Sequence, residues 1–189
     1  TIGGNVEIWM TMPVMIWLGI MSWFDIKSRE IPHSAWVIVP FIGAMIFRTI
    51  LGGWQLVVLA ILVALVSERV RLAKLTELHL DQMAFWLPPL GVISFISISI
   101  NPVGSLAILG FWIAWELHCW GGADAVTAMT LALVWPGWIL IIALLSVHLV
   151  VALVATVYSF IFEHRFRLHS IPGLPLLFAT VVVLLFIPK

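Results

Sequence analysis

Charge is what this sequence has least of. Asp, Glu, Lys and Arg make up 10% of its 189 residues, where a soluble domain carries about 25%. Nine Lys and Arg balance nine Asp and Glu, so there is no basic excess to bind a nucleic acid. Cysteine is reduced to Cys119, which excludes a disulfide framework and a thiolate zinc site. Basic residues are missing from the start as well: Lys27 is the first, so Thr1–Ile20 lacks the opening of a secretory signal. No internal repeat or low-complexity stretch is evident. What fills the chain is apolar: 63% hydrophobic residues, with mean hydropathy +1.18. That composition leaves too little polar surface to cover a water-facing globule, and an integral membrane protein is expected. Apolar runs without alternation exclude a membrane barrel.

Crossing the hydrocarbon takes about 20 apolar residues per helix. Breakers and charges divide the chain into eight candidate helices: Ile8–Phe24, Ser34–Leu51, Trp54–Val70, Ala84–Ile100, Val103–Cys119, Asp124–Trp135, Trp138–Phe162 and Pro172–Pro188. The punctuation is physical, since Gly52-Gly53, Asn101-Pro102 and Pro136-Gly137 favour turns over helix. Between Trp54 and Leu80 a short span running into an interfacial helix fits equally well. The expectation is an all-α, polytopic transmembrane helical bundle of about eight helices (six to eight), one domain over residues 1–189. Lys27 and Arg29, then Arg69, Arg71 and Lys74, then Arg165 and Arg167 follow helices 1, 3 and 7. With eight helices all three groups fall on one side, which the bias of basic loops makes cytoplasmic. Both termini then lie on the opposite side. Trp23, Trp54, Trp86, Trp120, Trp135 and Trp138 stand at predicted helix ends, as interfacial anchors do.

Ionisable groups at membrane depth are few, and each needs a reason. Asp25 closes helix 1 and Asp124 opens helix 6. The inferred topology puts both at the cytoplasmic end of their spans, where they can face each other although far apart in sequence. Two carboxylates at one buried site cannot both ionise cheaply. Such a pair holds one proton and titrates as a unit. That is the equipment of peptide hydrolysis without metal or nucleophilic side chain: one member takes a proton from water while the other polarises the carbonyl. The plainer alternative makes Asp25 a loop charge beside Lys27 or Arg29, and Asp124 an N-cap. Gly121-Gly122, however, allows a close approach that a cap does not require. Pro32 can start helix 2 and fix the loop that carries Asp25.

Three motifs carry a resemblance. Asp25-x5-Ile31-Pro32 resembles the D-x(n)-I-P-N motif of type IV prepilin peptidases and archaeal preflagellin peptidases, the GxGD intramembrane aspartyl proteases. Gly121-Gly122-Ala123-Asp124 is similar to their second motif, and Ser170-Ile171-Pro172-Gly173-Leu174-Pro175 to the I-P-x-x-P segment that opens their last helix. The order is the family's, and the motifs cover the chain from about Trp23 to Phe186. The resemblance implies a membrane endopeptidase of the cytoplasmic membrane, with its active site near the cytoplasmic face. It would remove the basic leader of type IV pilin-like or archaellin-like precursors. Asp25 and Asp124 would be catalytic, and Lys27, Ile31, Pro32, Gly121, Gly122, Ala123, Pro172 and Pro175 would shape the site. Neither metal nor cofactor is implied. The N-terminal methyltransferase region and cysteine pairs of the bacterial enzymes are absent, so the compact archaeal-like form is the nearer match.

The chain departs from the family pattern at three positions. Ala123 replaces the Gly before the second Asp, Val126 the Lys two residues after it, and His33 the Asn or Asp after Ile-Pro. The hairpin Trp54–Ile100 also exceeds a six-helix core. These departures give weight to an alternative: a catalytically inactive, peptidase-like subunit of a larger membrane complex or oligomer. A small transporter, whose polar sites lie at the midplane, fits less well. Glu116, near Arg69, Arg71 or Lys74 by topology, is expected in a salt bridge or as a third site carboxylate. His118 with Cys119 gives no adequate metal set. His148, deep in helix 7, is expected to bond between helices. Glu77 and Asp81 read as solvated, with a role in holding a basic leader as the sharper option. His164 and His169 read as loop residues.

Overall fold

The computed structural model describes residues 3–28, 34–76, 82–158 and 173–186, and all statements of structure below concern these. The protein is all-α. Among the described residues there are nine α-helices and no strand: α1 (Gly3–Ser28), α2 (Val39–Ile50), α3 (Trp54–Ser67), α4 (Arg69–Thr76), α5 (Met83–Ile100), α6 (Pro102–Glu116), α7 (Gly122–Val134), α8 (Trp138–Tyr158) and α9 (Gly173–Phe186). Eight answer to the expected segments. The ninth, α4, is the short helix that the stretch from Trp54 to Leu80 left open. It begins where the chain bends at Glu68, whose N–H still bonds to the carbonyl of Ala64 at 3.1 Å.

By length and composition, one described helix, α5, is able to cross a membrane, where eight spans were expected. The turn residues cut the apolar mass into shorter pieces: α3, α6, α7 and α9 have 14, 15, 13 and 14 residues. At 1.5 Å per residue, each reaches only about 20 Å.

The chain falls into two compact units, Thr1–Pro32 with Trp138–Lys189 and His33–Gly137, where the sequence suggests one domain. In the first, α9 packs against both α1 and α8. Leu174, Leu177 and Val181 of α9 are buried at the three- and four-residue spacing of one helix face. Leu140, Ala143, Leu144 and Val147 form the matching stripe of α8. Gly19 of α1 lies opposite Phe178 of α9; a Cβ there would sit 3.6 Å from Cε2, an ordinary contact.

The second unit is built around α7, which packs against α6, α2 and α3 and is buried without interruption from Ala125 to Val134. A single π-helical turn, Ser34–Ile38, leads into α2. Pro40 explains it, because a proline has no N–H to give the preceding turn and its ring displaces that turn's carbonyl. The connections are the ones that the breakers mark. Gly52 takes φ +79° after α2, where a side chain would be strained. Asn101 caps α6, its Oδ1 accepting from the N–H of Gly104 at 3.0 Å, with Pro102 in the first turn. Gly104 also lets α6 come close to its neighbours: a Cβ there would lie 2.8 Å from Pro136 and 3.0 Å from Leu56. Ser97 and Ser105 join α5 to α6 through a buried hydroxyl–hydroxyl bond of 2.8 Å.

Candidate functional site

Asp25 belongs to the first unit and Asp124 to the second. Helix α1 continues past Phe24 to Ser28, so Asp25 and Lys27 lie in its last turn instead of in a loop. Asp25 is half-buried, and its Oδ2 is shut off from solvent without a hydrogen-bond partner among the described residues. Leaving a buried acceptor unmatched costs about 1–3 kcal/mol, and more when the group is charged. Lys27 is exposed. Pro175 lies in the first turn of α9, where its missing N–H leaves no helical bond unmade. Ile31, Pro32 and Pro172 fall outside the described residues, as do Arg29, His33, Glu77, Asp81, His164, Arg165, Arg167 and His169.

The second motif is described in full. Gly121 is the N-cap of α7, in extended conformation, and Asp124 is the third helical residue. Asp124 is therefore not the cap, which corrects that alternative. The carboxylate instead belongs to the first turn of α7, where a negative charge is favoured. It folds back over Gly121, so that a Cβ on that glycine would lie 3.3 Å from Asp124 Oδ2. Gly122 meets an aromatic ring: a Cβ there would be 3.2 Å from Cε2, Cζ2 and Nε1 of Trp115. The close approach that the two glycines permit is thus used by the protein itself. Trp120, expected as an interfacial anchor, stacks on Phe111 with centroids 5.5 Å apart and planes 12° from parallel. Trp86, another expected anchor, is buried, whereas Trp23, Trp54 and Trp138 are exposed.

Helix α6 ends just before this turn. The N–H of His118 bonds to the carbonyl of Trp115, and that of Cys119 to the carbonyl of Ala114, both at 2.9 Å. Those bonds make a Schellman motif, which normally places glycine at its left-handed position. Here that position is His118, with φ +56°. Glu116, the last residue of α6, forms a forked pair with Arg69 of α4: Nη1 to Oε1 at 2.8 Å and Nη2 to Oε2 at 3.1 Å. Of the three cations near it by topology, Arg69 is the partner. Arg71 stands 3.9 Å from Glu68.

Gly121, Gly122, Ala123, Asp124 and Glu116 are thus collected where α6 passes into α7. Val126, two residues after Asp124, is buried in α7. No group of three or more His, Cys, Asp or Glu is placed to hold a metal among the described residues. His148 Nδ1 bonds to the carbonyl of Leu144 in its own helix at 2.8 Å. A carbonyl only accepts, so Nδ1 carries the proton. The sequence reading missed Trp115, Phe111 and the cap at His118. The available signal was an aromatic residue six and ten positions ahead of a Gly-Gly pair. No family model matches the chain, and neither a characterised protein nor a solved structure does.

Proposed function

We propose that the chain is a multi-pass membrane aspartyl endopeptidase, resembling type IV prepilin and preflagellin peptidases, in which Asp25 and Asp124 act as one catalytic pair. Its substrates would be pilin-like or archaellin-like precursors, cut after a basic leader near the cytoplasmic face. The observation that carries this reading is the buried Oδ2 of Asp25, which has no hydrogen-bond partner among the described residues. A carboxylate oxygen held out of water without a donor is an expense that folding alone does not explain. Asp124, seated over bare glycine at the start of α7, supplies the second carboxyl.

A membrane setting is supported by where the apolar side chains lie. On α5, only 17% of the 18-residue span is buried, and Phe85, Leu87, Val92, Phe95 and Ile100 are exposed. Helix α8 exposes Ile142, Leu145, Leu149, Leu153 and Val157 in the same way. Water-facing monomers rarely leave continuous apolar surface of this extent.

In the proposed reaction the pair shares one proton. The ionised carboxyl takes a proton from water as the water oxygen attacks the scissile carbonyl, and the protonated carboxyl donates to the carbonyl oxygen. Collapse breaks the C–N bond, and the released amine takes up a proton as the pair returns to its starting state.

Asp25→Asn and Asp124→Asn test this directly. Each should abolish leader cleavage in membranes, and the double variant should be hardly worse than either, because members of one unit are strongly non-additive. Insertion and folding should survive, since Asn is isosteric. Full cleavage by a folded Asp124→Asn variant would end the peptidase reading.

One observation favours a second reading, a non-catalytic subunit. Val126 is packed into the interior of α7, so the family's basic residue has no counterpart at that position. On that reading both Asn variants assemble with their partners as the unaltered chain does.

A further inference from the structure

We infer that Trp115 is a positioning residue: its indole, pressed on Gly122, fixes where the Asp124 carboxyl stands, and the Phe111–Trp120 stack closes the same turn. The inference rests on the proposal that Asp124 is one of the reacting pair, and it assigns a role to residues outside the three motifs.

Three contacts meet at this turn. The first is at Gly122, where any Cβ would lie 3.2 Å from three atoms of the indole. That is inside normal van der Waals separation, about 3.5–4.0 Å between carbons. Gly122 begins α7 with an ordinary backbone, so it is the ring that a side chain there would press against, and no left-handed φ is involved. The second is the near-parallel stack of Trp120 on Phe111, which ties the residue before Gly121 to the body of α6. The third is the fold of Asp124 Oδ2 over Gly121. Both aromatic anchors belong to α6, Trp115 in its last turn and Phe111 in the turn before. On the other side, α7 is enclosed from Ala125 onward. The segment bearing Asp124 is therefore held at both ends, which restricts where its carboxyl can stand. Precise seating matters to a reacting group, because a misplacement of about 1 Å can cost about 10²-fold in rate.

Two measurements on the full chain in lipid vesicles test the role. In the first, Asp124→Cys is made with Cys119→Ser, and its alkylation by iodoacetamide is followed against pH. A thiol held in the first turn of α7 should ionise below the ~8.5 of a free cysteine. Adding Trp115→Ala or Gly122→Ala should move the midpoint upward, and Trp115→Phe should leave it in place. An unmoved midpoint in both Trp115→Ala and Gly122→Ala would overturn the inference. No substrate is needed for this arm.

The second arm keeps Asp124 and follows cleavage of a pilin-like precursor with a basic leader. Gly122→Ala should lower kcat by about 10²-fold with KM unchanged, and the double variant Gly122→Ala/Trp115→Leu should recover most of the loss, because the smaller side chain gives back the space. A general loss of packing would not be rescued by removing more of it. Wild-type kcat in Gly122→Ala, or no recovery in a folded double variant, would overturn the positioning role. If the unaltered protein cleaves no precursor, the peptidase reading falls, and the thiol profile still decides the seating.

Discussion

The ends of α2 and α6 are closed by the same two backbone bonds. After α2, Gly52 and Gly53 donate to Thr49 and Arg48; after α6, His118 and Cys119 donate to Trp115 and Ala114, all at 2.9 Å. They differ in the residue at the left-handed position: Gly52 at φ +79° and His118 at φ +56°. Glycine takes that conformation freely, while a residue with a Cβ is strained there by about 1–2 kcal/mol. The surroundings differ as well. Arg48 lays its side chain across Gly53, with a buried Nε that has no hydrogen-bond partner among the described residues. At the other end, Glu116 is gripped by Arg69 and the following turn is stacked and clamped. The relaxed end has nothing to hold. The strained end leads into Asp124, and strain persists only where its surroundings over-determine it.

The contrast is open to attack, first at its strongest restraint. Arg69→Ala should lower the unfolding free energy in micelles by about 1.5–3 kcal/mol, the range for a hydrogen bond to a charged group. Arg69 and Glu116 keep 22% and 27% side-chain exposure, which sets the loss toward the lower part of that range. Pairing the change with Glu116→Gln should give back part of the loss, because no unmatched carboxylate then remains; an additive double variant would mean that the fork contributes nothing.

Gly52→Ala breaks the relaxed end. A Cβ there meets nothing within 4 Å, so the whole effect comes from φ, and a loss of about 1 kcal/mol is expected once the lower chain entropy of alanine is counted. An unchanged midpoint in the denaturation curve would show that this turn tolerates a side chain.

His118→Gly sharpens the comparison with the smallest effect and the opposite sign. Removing the strain while adding glycine's entropy should leave a gain of about 0.5 kcal/mol, read as a raised Tm. A destabilised His118→Gly protein would mean that the imidazole makes contacts worth more than the strain.

Much of this arrangement can be read from residue types alone. Gly52-Gly53, Asn101-Pro102 and Pro136-Gly137 mark the helix ends, because what breaks a helix there is local: a missing Cβ, a capping carboxamide, a missing N–H. Charge placed Glu116 near three cations, and the fold selected Arg69, a choice that depends on where α4 turns back after Glu68. The turn at His118 gave no signal, since a left-handed residue is announced by glycine or asparagine and not by histidine. Nor could Gly121-Gly122 say what comes close to it. The glycines permit an approach, and only the packing of α6 on α7 shows that Trp115 makes it. Periodicity also stopped short at the helix lengths, because α3, α6, α7 and α9 carry only scattered polar residues and give no continuous polar face from which to read their limits.

The ten enclosed residues of α7 bear on how this protein can change over generations. A helix with one face in contact can vary on the other; α5, with most of its span uncovered, can exchange one large apolar residue for another at little cost. From Ala125 to Val134 no side of α7 is open, so every replacement there changes a volume that neighbours already fill, and substitutions would have to come in compensating sets drawn from α2, α3 and α6. The segment downstream of Asp124 is therefore the slow part of the molecule. On the proposed peptidase reading, new specificities would have to arise around a carboxyl whose own support can scarcely drift.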